Sequence, residues 1–198
     1  MILDLDNTIK ELLETFAPAN SELAGATISF DLPDANWRAQ LDALTVNCYL
    51  YDIRQNLAAA TNEPILVQSA DQKKRARVRP PARIDCSYCI TAWSPALTGA
   101  VYEEHRLLGQ VLQVFLRFPK IPQEVLQGAL VGQMAPYPGI VASQDGVRNL
   151  PEFWSALDQK LKPSLNYVIT LGMLPEAVPT DAQMVDKPIT IEVGVDQP

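Results

Sequence analysis

Residues Asp85 to Cys89 read DCSYC, and the thiols of Cys86 and Cys89 are the side chains whose type and spacing most suggest chemistry. Two cysteines three positions apart serve as a redox dithiol or as half of a zinc site. Redox pairs of this kind open a helix, whose N-terminus lowers the thiol pKa. A zinc site needs further ligands, and the chain offers only Cys48 and His105, its third cysteine and its sole histidine. The surroundings are strand-like instead: RIDCSYCITAW, Arg83 to Trp93, is rich in β-branched and aromatic residues. In a strand, Ile84, Cys86, Tyr88 and Ile90 share one face, while Asp85, Ser87, Cys89 and Thr91 share the other. That phase sends the two thiols to opposite sides of a sheet, where they can neither grip one metal nor bridge to each other. It favours packed sulfur in a core strand. The competing expectation is a small thiol- or metal-dependent enzyme or binding module built on Cys86, Cys89, Cys48 and His105.

His105 sits in YEEHRLLG, inside the strongest helical pattern of the chain. Glu103 and Glu104 are adjacent in sequence, but neighbours one and two positions apart do not face each other on a helix. A zinc protease would place a second histidine four positions on, and Gly109 stands there. No G-x-S-x-G, Walker loop or G-x-G-x-x-G occurs. With these patterns missing, a binding or structural role is favoured.

The elements that must carry these residues are legible from periodicity. Ile2, Leu5, Ile9, Leu12, Leu13 and Phe16 recur at helical spacing, up to Pro18. TISFDLP reads as a short strand. LTVNCYLYDI, Leu44 to Ile53, places Val46, Cys48 and Leu50 on one face and Thr45, Asn47, Tyr49 and Tyr51 on the other. Apolar bodies on both faces predict a strand covered on each side. A polar link, a short ILV piece and DQKKRARVRPPAR follow, and together they suggest a long hairpin with a basic arm. The arm carries Lys73, Lys74, Arg75, Arg77 and Arg79, and Pro80 and Pro81 break the strand beyond it.

Gly99 to Arg117 is the best helix, with Val101, Leu108, Val111, Leu112 and Phe115 as its expected apolar face and Pro119 beyond its end. IPQEVLQGAL suggests a second short helix, and MAPYPGIVASQDG a loop. LPEFWSALDQKLKPSLNYVITL predicts a short helix, a break at Pro163 and a strand from Leu165 to Leu171. A turn-rich segment then leads into ITIEVGV, whose alternation puts Ile189, Ile191 and Val193 on one side of a final strand. The order of elements predicts an α/β (α+β) domain, with a mixed, mostly antiparallel sheet flanked by helices. Residues 1–174 form the expected domain and 175–198 a C-terminal extension.

Bulk properties narrow the partners. The chain has 198 residues, a formal net charge of −7 and a pI near 4.7, so phosphate-rich nucleic acid is a poor partner. No apolar run is long enough to span a bilayer, so no membrane insertion is expected. The N-terminus carries Asp4 and Asp6 where a signal peptide would be basic. Three cysteines leave one without an internal mate, which fits a reducing, cytoplasmic setting. Against this acidic background the basic arm is expected to contact an acidic partner surface, where complementary charge sets register and encounter rate.

Four stretches in order carry a resemblance: VNCYLYDIRQN, PPARIDCSYCITAW, EEHRLLGQVLQVFL and PEFWSALDQKLKPSLNYVITL. Together they resemble the cap, or tube-terminator, protein of contractile injection systems. These are phage-tail-like particles typified by the antifeeding prophage and the Photorhabdus virulence cassettes. The resemblance runs from about Met1 to Leu174. It implies a fold like that of phage tail terminators and a structural protein without a cofactor. It also implies a six-fold ring that closes the distal end of the inner tube, contacts the tube and sheath proteins and stops their growth. Some members carry a further domain after this region, where the present sequence has a single strand pattern. The ITIEVGV strand is then expected to add to an edge on a sheath subunit or on a neighbouring cap subunit.

Overall fold

Alternating strands with apolar bodies on both faces need cover on both sides, and the chain supplies it unequally. The computed structural model describes residues 1–61, 63, 65–68, 75–78, 80–132, 137–143 and 146–173. A five-stranded sheet lies at the centre, in the order β1 (Thr27–Ser29), β2 (Thr45–Gln55), β5 (Ala82–Trp93), β7 (Leu165–Met173) and β6 (Gly139–Val141). Only β1 and β2 run parallel; the other three pairings are antiparallel. The expected mixed, mostly antiparallel sheet is therefore present. β3 (Ile65–Gln68) and β4 (Arg75–Val78) pair antiparallel with each other as a separate ribbon. That ribbon is the expected long hairpin, inserted between β2 and β5.

One face of the sheet is closed by α1 (Ile2–Thr15) and α4 (Ala100–Arg117). Leu5, Ile9, Leu12 and Leu13 of α1 pack with Leu107, Val111, Val114 and Phe115 of α4 over Val46, Cys48, Cys86, Tyr88, Ile90, Tyr167, Ile169 and Leu171. The α1 stripe matches its sequence periodicity. In α4 the stripe is rotated from the sequence expectation: Val101 is exposed, while Leu107 and Val114 take core positions. On the rotated stripe Val101 falls at the flank rather than at the centre, which leaves it in solvent.

The opposite face is covered by α3 (Ala35–Ala39) and α5 (Leu150–Ala156). Trp93 on β5 is its hub, with Trp37 edge-on at 5.5 Å and Trp154 at 6.4 Å. Both helices start on side-chain caps: Asp34 accepts from the Trp37 N–H at 2.7 Å, and Asn149 from the Glu152 N–H. A one-turn helix, α2 (Glu22–Gly25), is capped in the same way by Ser21.

Two expectations are corrected. IPQEVLQGAL forms two 3-10 turns, Gln123–Val125 and Gly128–Leu130, rather than a helix. Gly128, at φ +54°, lies so close to α1 that an added Cβ would collide with the Asp4 carboxylate. Thr8 of α1 bonds the same stretch, accepting from the Gln127 N–H at 3.0 Å. These tertiary ties hold the backbone away from helical continuation. Within the expected loop, Gly139–Val141 forms β6 against Tyr167, Val168 and Ile169. Gly139 suits that place because a Cβ there would press within 2.9 Å of the Tyr167 ring carbons.

Candidate functional site

β5 settles the geometry of the dithiol. Cys86 faces the α1/α4 core and is fully buried, whereas Cys89 faces the tryptophan side. The phase of β5 fixes this: its register with β7 is regular through Cys86 to Cys89, and the bulge between Leu50 and Asp52 lies on β2, not on β5. Cys48 shares the helical face with Cys86, but its cross-strand partner is Ile90, four residues along β5. His105 lies exposed on α4. The four residues are not brought together, and among the described residues no group of three or more His, Cys, Asp or Glu side chains converges to hold a metal. Burial pushes the Cys86 and Cys89 thiols up to about 11, and raises Cys48 further still. A thiolate, the nucleophile and ligand form, is therefore suppressed at neutral pH.

Cys89 does line one cleft, of about 280 Å³, together with Tyr51, Ser164 and Asn166. The Tyr51 hydroxyl donates to Asn166 Oδ1 at 2.7 Å. That bond ties β2 to β7 across β5. It offers neither a base for the thiol nor a cluster of donors for an anion.

The ionic groups inside the domain are structural by position. Tyr88 donates to Asp6 Oδ1 at 2.7 Å, joining β5 to α1. Burial raises the Asp6 carboxyl above its usual range, and the Tyr88 hydroxyl partly offsets this. Lys162 forms an ion pair with Glu104 at 2.8 Å, lies 3.9 Å from the centre of the Trp93 ring, and donates to the Ala92 carbonyl. Desolvation lowers the Lys162 pKa, and Glu104 opposes that shift. The pair pins the chain just before β7 against α4 and the end of β5. Sequence reasoning missed both contacts, since partners 58 and 82 residues apart leave no local signature.

The β3–β4 ribbon continues the β2–β5 pairing beyond the end of the sheet, where the Asn56 N–H still bonds the Arg83 carbonyl at 2.8 Å. Arg75 and Arg77 belong to β4. Lys73, Lys74 and Arg79 of the basic arm lie outside the described residues, as do Ile189, Ile191 and Val193. At the opposite end of the sheet, Leu97 in the loop after β5 and Val101 and Tyr102 at the start of α4 are strongly exposed. Among the described residues no helix is long and apolar enough to cross a membrane.

Comparison with solved structures agrees on the fold. The chain is similar over its full length to a chain described as the sheath/tube terminator of an extracellular contractile injection system, PVC, in its extended state. The TM-score is 0.65 and the identity 22%, and 64% of that chain is covered. It is similar over 98% of its length to the tube-terminating cap of the anti-feeding prophage, at a TM-score of 0.65 and 20% identity, covering 62% of that chain. The present chain therefore spans somewhat under two thirds of either protein. No curated protein matches it. The profile of the Pvc16 N-terminal domain matches residues 4–187, nearly the whole sequence. The chain belongs to the Pvc16 N-terminal domain family.

Proposed function

We propose that this chain is a structural cap of a contractile injection system, a tail terminator that acts by binding rather than by catalysis. Six copies form a ring on the distal end of the inner tube. The ring contacts the last tube and sheath subunits and halts their addition. The observation that carries this reading is the extent of the likeness: one fold, matched over 98–100% of the chain, in two proteins described as terminators of such particles. The absence of any convergence among Cys48, Cys86, Cys89 and His105 is consistent with it.

The basic arm is the proposed contact for an acidic surface on the tube or on the next subunit. A projecting ribbon reaches beyond the sheet without disturbing the core, and concentrated positive charge on an acidic protein gives direction to the encounter. The particle assembles in the producing cell, which places the subunit in the cytoplasm before release.

The test is native mass spectrometry of the purified protein, with and without preformed tube ends, joined to electron microscopy of tube length. Metal-free hexamers bound at one tube end, with growth arrested, are the expected result. A zinc-bearing monomer that leaves tube growth unchanged would reject the cap. Substituting Lys73, Lys74 and Arg75 by Glu should impair capping while leaving the thermal midpoint in place; normal capping by that variant would remove the arm from the interface.

A further inference from the structure

β2 has eleven residues, yet β1 covers only Thr45–Asn47 at its start. From Cys48 to Gln55 the outer edge of β2 has no strand beside it among the described residues. Half of the backbone N–H and C=O groups of that stretch point away from β5, because groups alternate sides along a strand. Such an edge is a template for another strand. Its defence is partial: a bulge between Leu50 and Asp52 interrupts the alternation, and it brings Leu50 and Ile53, three positions apart, onto one face. Ile53 is 48% exposed on the same face as the partly buried Leu50. Arg54, a charge that would discourage docking, is folded onto Asp52 at 2.7 Å, along its own strand.

The sequence carries a strand-like pattern that would fit the edge. Ile189 to Val195 reads ITIEVGV, seven alternating residues against an eight-residue free edge. It follows β7, and Met173 pairs with Ala82 at the end of the sheet where β2 finishes at Gln55. The intervening residues, Leu174 to Pro188, can extend about 50 Å. Reach alone does not choose between the chain's own edge and another's; topology does. β7 and the free side of β2 lie on opposite flanks of the sheet, and the β3–β4 ribbon rises from the ends of β2 and β5 between them. A tail returning to its own β2 would have to pass around the root of that ribbon, the kind of crossed connection that folds avoid. A tail leaving on one flank and an acceptor edge on the other are what a head-to-tail ring requires, since each copy then donates once and accepts once.

We propose that the free edge of β2, from Cys48 to Gln55, accepts the C-terminal strand Ile189–Val195 of a second copy of this chain. Main-chain hydrogen bonds bind the strand, and Ile189, Ile191 and Val193 lie beside Leu50 and Ile53. This rests on the ring reading above, but names its acceptor and its donor.

The experiment mixes two full-length variants, Ile53→Cys and Ile191→Cys, under mild oxidation with tube ends present. The native thiols are buried and slow to react. Cross-linked chain pairs are scored by denaturing gel, and rings by native mass spectrometry. A link between the two different chains is expected, and its yield should collapse when Thr190 is also changed to Pro, which removes a ladder donor. A chain carrying both cysteines that links only within itself would overturn the proposal in favour of self-docking. Links to sheath protein instead of to a second copy would also overturn it. A ring without any link would sink this inference and leave the ring standing. A link without a ring would keep the inference and reject the ring. Hydrogen exchange supplies a variant-free check: protection of the amides from Leu50 to Gln55 should rise with protein concentration, and concentration-independent exchange would contradict the docking.

Discussion

The two faces of the central sheet are built on different principles. On one, α1 and α4 lay two aliphatic stripes across β2, β5 and β7, and most of the buried residues are Leu, Ile or Val, with a Phe115–Tyr167 stack at 4.0 Å between α4 and β7. On the other, short helices bring tryptophans and cations to Trp93, with Arg38 at 5.5 Å and Lys162 at 3.9 Å from its ring. The tryptophan face also holds three of the four buried side-chain atoms that find no partner among the described residues: Asn47 Oδ1, Trp154 Nε1 and Asn166 Nδ2. Each such atom costs about 1–3 kcal/mol of desolvation. The helical face holds the larger apolar cluster, and the tryptophan face holds the smaller one together with the cleft.

The comparison breaks most visibly in paired truncations. Leu12→Ala, in the helical core, should cost about 3–4 kcal/mol, and Leu157→Ala, beside Trp154, about 2 kcal/mol, both within the range for large-to-small core changes. Denaturant unfolding reads both. Equal losses would mean that the faces contribute alike. Next in size is Gly139→Ala, which drives a methyl against Tyr167 and so disturbs the Phe115 stack. About 2 kcal/mol is expected for that overpacking, and a neutral result would show β6 to be loosely held.

The cysteines sharpen the contrast, because one strand delivers sulfur to each face. Cys86→Ala and Cys89→Ala should each cost about 1 kcal/mol as small packing losses. In the folded protein both thiols should resist a maleimide at neutral pH, since burial holds them near 11. Fast labelling of Cys89 alone would show that the tryptophan face opens on its own.

The smallest expected effect is at Asp6. Its folded pKa is raised by burial from 3.8, so between the unfolded and folded values the native state binds more protons than the unfolded chain. The stability contribution is full below 3.8 and is lost as pH rises through the folded value. Asp6→Asn keeps an acceptor for Tyr88 and removes the charge. The variant should match the parent at low pH, and should lose the decline in denaturant midpoint that the parent shows toward neutrality. A parent without that decline would mean that the Tyr88 bond outweighs desolvation.

How much of this could be read from residue order depends on the range of the interaction. Periods of 2 and 3.6 are local, so the strands around Cys48 and Cys86, the α1 stripe, the β2–β5 hairpin and the break at Pro163 were all legible. So was the separation of Cys86 from Cys89, which needs only strand phase. β6 was not, because three residues beginning with Gly139 carry no periodic signal and become a strand only by pairing with β7. The 3-10 turns near Gly128 were not, because the ties from Asp4 and Thr8 arrive from more than a hundred residues away.

The sequence by itself determined the long helices and strands, the two faces of β5 and the charge of the arm, since these follow from neighbouring residues and their covalent geometry. Only the tertiary structure decided which strands became neighbours, that Glu104 would neutralise Lys162 beneath Trp93, and that β1 would stop after three residues, so that among the described residues no strand lies along the outer edge of the rest of β2. Those outcomes turn on which distant segments compete for the same surface, a free-energy balance that no local pattern contains.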